Sequence, residues 1–484
     1  MQTALPSEVL GQFSILGRDE KSWAGVLTFG TRPALRILVT SNDSGGFLPT
    51  PLQSLQQGAQ LDFVGATNTL GCITLSKCAY SSGRGYGSHA PELTLHPTEI
   101  WAGPQPFSED ANYSGTTLGF SGIHSIIGNN ILGHKILVDA AQKLAIETIL
   151  GVTQEVFYRN PLAVEHKIEL LNQRVTVLFY SSYSASFSAY KGDEISTYDE
   201  CRITSSNSSS GKQLVALASN IEHFLSFICL KSIRCNELTL EKTDADLTPS
   251  ENYKRLWYLG SEPSNEGVMF HEALGTFSKD PIPMEAALNA WFSSSDDEKL
   301  ARWLFLDSQD QNVITAGRFI AVCQAVEIIG GQARSGGPRF DKSKFSQASL
   351  LGAETICREL GAEYQTPEYK DRFRQLIATG NRFSFRDKII TFMSAIPPMI
   401  KETFLQDQEQ FINILVKMRN LFVHMANNNL SFDEGDSKLT AMTYKLLVLF
   451  AAHQAVALGM SPDRVLQGLR NSSLGRSAAF LRTP

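Results

Sequence analysis

At 484 residues, with 43% hydrophobic and 19% charged residues, the chain has the length and composition of a folded, soluble protein of two or three domains. Its net charge of −6 argues against a nucleic-acid binder as a whole, but residues 311–484 hold 21 Lys and Arg against 15 Asp and Glu, while the preceding 310 hold 22 against 34. Seven cysteines with no C-x-x-C pair exclude a disulfide framework and read as reduced, buried thiols.

The first 140 residues read as β structure. "FSIL", "WAGVLTFG", "ALRILVTS", "AQLDFVGAT" and "GCITLSKCAY" are short, rich in β-branched and aromatic residues, and separated by turn formers. That spacing predicts a sandwich-like or jelly-roll-like module. Residues 128–150 are ambiguous between helix and strand, and residues 162–191 return to strand alternation. The serine-rich segment 205–211 is expected to be a mobile loop, and "QLVALASNIEHFLSFICL" has helical periodicity. From about 250 the character changes. "SSDDEKLARWLFL" opens with a Ser cap and an acidic first turn, and "ITAGRFIAVCQAVEIIG" reads as a helix ending at Gly330-Gly331. Helices are then predicted at about 347–360, 367–379, 384–395, 406–426 and 437–459. The fold class is therefore α+β: a β-rich domain over 1–245, a helical connecting segment over 246–310, and an all-α bundle over 311–475.

The apolar run "LLVLFAAHQAVALGM" is interrupted by His453 and Gln454, too short to span a bilayer, and the first residues do not form a signal peptide. The expectation is a cytoplasmic protein with no membrane contact. "GFSGIH" (Ser121, His124) lacks a nucleophile elbow and reads as a turn. "GRGYG" reads as a strand-connecting loop. Asp244 and Asp246 lack companion ligands, so no metal site and no cofactor is expected. His453 reads as a satisfied core histidine.

One helix combines polar and apolar signals in an unusual way. In "QFINILVKMRNLFVHM", a rotation of about 100° per residue aligns Asn413, Lys417, Asn420 and His424 in one polar stripe. Phe411, Ile414, Leu415, Met418, Leu421 and Phe422 form a core-facing stripe. Arg419 falls among Ile412, Val416 and Val423, an apolar sector that solubility alone does not explain.

This R-x4-H spacing, in the penultimate long helix of a C-terminal bundle, resembles the motif of HEPN ribonucleases. "RFIAVCQAVEIIG" with its late Glu327 resembles the first helix of the ApeA-like HEPN group, and "AALNAWF" resembles the segment preceding it. "FSILGRDEKSWAGVLTFGTRPALRILV" resembles the β-rich N-terminal domain of the same proteins. The resemblance implies an anti-phage abortive-infection factor of bacteria that cleaves RNA, with tRNA as a target. It also implies a homodimer with a composite active site, and a phage-derived trigger sensed by the N-terminal domain.

Cleavage without a metal uses the 2′-hydroxyl as nucleophile and needs a base, an acid and a cation for the phosphorane. His424 is the candidate base or acid, and Arg419 the phosphorane clamp. Asn420 would orient the phosphate or His424, with Lys417 beside it. Glu327 sits on an otherwise buried face, where it holds Arg419 or another basic residue, or forms a structural ion pair. One His and one Arg are too few for both proton transfers, which is why a second copy is expected; it would also cover the apolar sector around Arg419. Arg334, Arg339, Arg382, Arg386 and Lys388 are candidates for tracking an RNA backbone. The alternative from another class is a non-catalytic dimerisation or RNA-binding bundle carrying a ligand-binding β domain.

Overall fold

The computed structural model describes residues 6–18, 22–30, 32–39, 50–84, 92–120, 122–127, 132–134, 156–158, 164–170, 175–188, 192–242, 252–258, 269, 271–277, 280–309, 315–332, 341–379, 383–424 and 432–480. They divide into two compact units. The first comprises residues 1–225, 233–269 and 276–281, and the second residues 226–232, 270–275 and 282–484.

The first unit is built on strands β1 (Glu8–Ile15), β2 (Ser22–Thr28), β3 (Ala34–Leu38), β4 (Leu61–Thr67), β5 (Gly71–Arg84) and β6 (Glu92–His96), with a short helix α1 (Thr50–Gln56). These strands pair antiparallel in the order β5-β4-β1-β2-β3-β6, and β6 returns to pair with β5. The result is a closed six-stranded barrel, where the sequence pattern suggested a sandwich-like module. Alternation supplies its core: Phe13, Leu27, Leu35, Ile37, Phe63, Ile73, Leu75, Leu93 and Leu95 are all buried. The Phe13 ring fills the space that side chains at Gly25 and Gly65 would take; a Cβ on Gly65 would lie 2.5 Å from it.

On the edge away from β4, β5 is shared between two partners. Its first half, Cys72 to Ser76, pairs with β7 (Glu99–Gly103), and its second half pairs with β6. The corner falls at Lys77, whose φ of +49° is rare for a side-chain-bearing residue, and whose amide donates to Asp62 Oδ1 at 2.6 Å. Beyond it the sheet continues antiparallel through β15 (Tyr253–Tyr258), β14 (Cys235–Glu241), β8 (Asn112–Phe120), β13 (Gly192–Ser210), β12 (Val175–Ser188) and β11 (Val164–Leu170). A separate pair joins β9 (Leu132–His134) to β10 (Val156–Tyr158). A short helix α2 (His124–Ile127) follows β8. Residues 205–210, expected as a mobile loop, belong to β13; the pairing with β8 skips between Thr204 and Ser209, so the serines form an irregularity in the strand. Most of the ambiguous 128–150 segment, Ser121, Asp244 and Asp246 lie outside the described residues, as does the His124 side chain.

Helix α3 (Gly211–Cys229) follows, as its periodicity predicts, burying Leu214, Ala218, Ile221, Phe224, Leu225 and Ile228. The segment expected as a helical connection over 246–310 divides differently. Residues 253–258 form β15 of the sheet, whereas α4 (Pro281–Phe292) and α5 (Asp296–Gln309) are core helices of the second unit. The reason is apolar burial: the Trp291 ring lies tilted 5.4 Å from that of Phe227, and the Phe305 ring 4.9 Å from that of Phe450. Ser295 caps α5 in a capping box with Glu298.

The second unit continues with α6 (Ala316–Gln332), α7 (Lys342–Leu360), α8 (Pro367–Thr379), α9 (Phe385–Ser394), α10 (Pro398–Phe404), α11 (Gln408–His424), α12 (Phe432–Ala457), α13 (Pro462–Asn471) and α14 (Ser473–Phe480). α12 is the central helix: Leu446 to Ala452 are fully buried. Its stretch Ser437–Ala457 is long and apolar enough to cross a membrane, but 78% of it is buried inside the unit. His453 stacks on Phe392 at 4.8 Å. Beside it Arg302 is buried, donating to Gln454 Oε1 at 2.8 Å and to Ser294 Oγ at 2.6 Å. Burial pushes the His453 imidazole down to about 4; Glu298 opposes that and the Arg302 charge reinforces it.

Two outcomes follow. Gly65→Ala is expected to cost about 1–3 kcal/mol by overpacking against Phe13, with part recovered by Phe13→Leu in the same chain; denaturant unfolding of single and double variants reads this. His453 is neutral in the fold, so the unfolded chain binds the extra proton between its ordinary 6.5 and about 4. The stability it contributes is full above pH 6.5 and is lost as pH falls toward 4. Thermal unfolding across that range is expected to fall less steeply for His453→Phe than for the parent.

Candidate active site

Three helices converge on one carboxylate. α6 buries Phe319, Val322, Cys323, Val326 and Ile329, which leaves Glu327 half-buried at the edge of an apolar face. α9 begins at a capping box in which Ser384 and Asp387 satisfy each other's backbone amides, fixing Phe385 and Lys388 in the first turn. α11 starts where Asp407 accepts from the Gln410 amide at 2.9 Å.

Gly330 sets the spacing between α6 and α9. It does not end the helix, which runs on to Gln332. Instead, a Cβ at this position would strike the backbone of Lys388, so only glycine permits the two helices to approach this closely. That approach brings Lys388 Nζ to 2.7 Å from Glu327 Oε1. The other carboxylate oxygen, Oε2, accepts from Arg419 Nη2 at 3.2 Å. The Arg419 guanidinium lies 5.1 Å from the centre of the Phe385 ring. All three charged side chains are only about a quarter exposed, so their mutual attraction is poorly screened.

This arrangement explains why an arginine sits in an apolar sector of α11. Its guanidinium lies over the Phe385 ring, and its charge is held by Glu327. The cover that the sequence reading assigned to a partner subunit comes in part from the same chain. Cys323, one turn before Glu327, is buried. Burial pushes its thiol up; Arg419 pulls it down and Glu327 raises it further, with burial dominating.

The remaining candidates fall in three places. Asn413, Lys417 and Asn420 are exposed along one side of α11. Arg386 is tied to α11 by a hydrogen bond to Asn413 and lies 3.7 Å from Glu409. Arg334, Arg339 and Arg382 lie outside the described residues, and His424 is the last residue of α11, with its side chain likewise outside them. Lys388, grouped by sequence with the candidates for tracking an RNA backbone, is a partner of Glu327. Its place was readable from one signal: Phe385, Ile389 and Phe392 mark the buried face of α9, and Lys388 stands one turn after Phe385 on that side.

The site thus unites two cations and one carboxylate, a surplus of one positive charge beside an exposed polar stripe, on a helix that carries R-x4-H at its C-terminal end. An all-helical domain with this arrangement is suited to binding a phosphate. Residues 320–464, from α6 to the start of α13, match the family model described as Apea-like HEPN. The helical unit therefore contains an Apea-like HEPN domain, and the β-rich unit lies outside the match. At the level of the family, HEPN domains are generally RNases that bind RNA and dimerise, and the match points to antiphage defence. No curated protein and no solved structure matches the chain significantly.

Glu327→Ala is expected to leave Arg419 and Lys388 facing each other without a counter-charge, at a cost of about 1–3 kcal/mol. Lys388→Met in the same chain is expected to recover part of that loss. A double-mutant cycle by urea unfolding measures the coupling.

Proposed function

We propose that the chain is an endoribonuclease of the HEPN type that acts without a metal, in the cytoplasm, as an antiphage abortive-infection factor. The observation that carries this reading is the Glu327 carboxylate holding Arg419 in place beside Lys388. A guanidinium fixed before substrate arrives can stabilise phosphorane charge with little reorganisation. Among the described contacts Glu327 accepts one bond, from Nη2, which leaves other N–H groups of the guanidinium to donate to a phosphate oxygen.

In the reaction, the ribose 2′-hydroxyl attacks the adjacent phosphorus as a base takes its proton. The P–O5′ bond breaks as an acid protonates the leaving oxygen. The products are a 2′,3′-cyclic phosphate and a 5′-hydroxyl. His424 supplies one of these proton transfers and His424 of a second copy the other. Arg419 steadies the developing charge, Lys388 adds to the local positive field, and Asn420 orients the scissile phosphate. The β-barrel unit would sense a phage-derived trigger, and tRNA is the substrate class we would test first.

Purified protein incubated with total RNA and a chelator tests the reading. The parent chain is expected to yield fragments that accept a 5′ label without prior phosphatase treatment. Arg419→Ala and His424→Ala are each expected to lose about 100-fold or more in rate while keeping the helical content of the parent. Undiminished cleavage by His424→Ala would overturn the mechanism. RNA binding without cleavage by any form would make the bundle a binding module.

A further inference from the structure

A second arginine reaches α11 from the residue next to Phe385. The Phe385 ring lies 5.1 Å from the Arg419 guanidinium. Arg386, which follows it, donates from Nη1 to Asn413 Oδ1, and its Nη2 lies 3.7 Å from Glu409. The first turn of α9 therefore meets α11 at two points, with Arg419 at one and Arg386 at the other. Asn413 and Arg419 are six residues apart on α11, a rise of about 9 Å along its axis.

Helix stability accounts for neither member of the Arg386–Asn413 pair. Arg386 stands in the first turn of α9, directly after the Ser384 cap, where the positive end of the helix dipole disfavours a cation. Asn413 lies in the first half of α11, at an exposed position where Ala, Leu or Gln would favour the helix more. Its amide instead holds the guanidinium. The kind of partner matters, because a carboxylate would offset the charge it held, whereas an amide oxygen fixes the guanidinium and leaves its charge. Glu409 is the acid nearby, and its side chain is 80% exposed, so water screens its attraction.

The site and its surroundings form a line of cations. Lys417, between Asn413 and Arg419 in sequence, is exposed and makes no ion pair among the described residues. With Arg386, Lys388 and Arg419 it stands among three carboxylates, Glu327, Glu409 and Asp387, and Asp387 is turned back onto the Ser384 amide as part of the cap. An RNA strand carries one negative charge per nucleotide, and a span of about 9 Å is roughly the reach of one or two nucleotides. A strand whose scissile phosphate rests on Arg419 can therefore bring a neighbouring phosphate to Arg386.

We infer that Arg386, held against α11 by Asn413, binds a second phosphate of the strand, one or two nucleotides from the bond that is cut. The inference rests on the reading of Arg419 as the clamp on the scissile phosphate, and it adds the register of the strand along α11. Arg386 binds and does no chemistry. Two fixed points keep the strand from turning about the scissile phosphate, which holds the 2′-hydroxyl in line with the leaving oxygen. A phosphate carries no sequence, so this contact sets register and not base preference.

The test uses full-length protein and a synthetic RNA of about ten nucleotides that spans a linkage the parent cuts, with one neutral methylphosphonate placed in turn at each neighbouring linkage. For the parent, one such position, one or two nucleotides from the cut, is expected to raise KM about tenfold. For Arg386→Ala the same position is expected to change KM less than about twofold, because the contact is already lost. On the unmodified strand Arg386→Ala is expected to raise KM about tenfold and to make the slope of log affinity against log salt shallower by about 0.7. Asn413→Ala, which releases the guanidinium, is expected to fall between. Should Arg386→Ala lower the helical content, Arg386→Gln takes its place with the same expectation. A neutral linkage that costs parent and variant alike at every position, or costs the parent nothing at any, would overturn the inference. The two readings fail separately. Coupling seen by fluorescence anisotropy on the same strands, with no form cutting RNA, removes the nuclease and keeps the phosphate contact. Cleavage that His424→Ala abolishes, with no linkage coupled to Arg386, does the reverse, and a parent that neither binds nor cuts the strand removes both.

Discussion

The helical unit depends on one carboxylate in a position where carboxylates are costly. Glu327 stands at the edge of a face whose other members are buried, and burying an unpaired charge there would be strongly unfavourable. It is tolerated because each oxygen meets a different cation, Lys388 from α9 and Arg419 from α11. The bridge joins three helices that are far apart in sequence, and it fixes the rotation of α11. With that rotation set, Asn413, Lys417 and Asn420 are exposed along the side that leads to His424, and Phe411 and Leu415 are buried. A half-buried pair of this kind adds modestly to stability. Its value is positional, since it presents a guanidinium in one orientation before any phosphate arrives.

The same logic connects packing to chemistry at Gly330. The lack of a side chain lets α6 and α9 close together, and that closeness gives Lys388 its reach to Glu327. Phe385 adds a surface for the guanidinium plane. None of these three residues belongs to the R-x4-H motif, yet together they determine what Arg419 can do.

Much of this was legible in the sequence, for physical reasons that differ by element. The helices were readable because their apolar residues repeat every three or four positions, and α8 falls on its predicted limits, 367–379. Glu327 stood out as a charge on a buried stripe, and Arg419 as a charge in an apolar sector. The barrel was not readable as a barrel: closure depends on β5 meeting β6 after meeting β4, and pairing across such distances leaves no local pattern. The serine run at 205–210 has the composition of a loop, yet pairing at its two ends, Ser205 with Val175 and Ser209 and Ser210 with Tyr113 and Asn112, keeps it within β13. Lys388 was grouped with neighbouring basic residues because charge counts do not show which cation has a partner. Gly330 looked like a helix end because glycine often is one, and only the helix packed against it reveals the other use.

The central claim is that one cleft draws its proton donors from two copies of the chain, with Arg419 held ready in each. Mixing parent and His424→Ala protein at fixed total concentration, after exchange of subunits, measures this directly. If the cleft is composite, RNA cleavage falls as the square of the parent fraction, to about a quarter of full rate in an equal mixture. A linear fall, to about half, would mean that each copy works alone and would contradict the account.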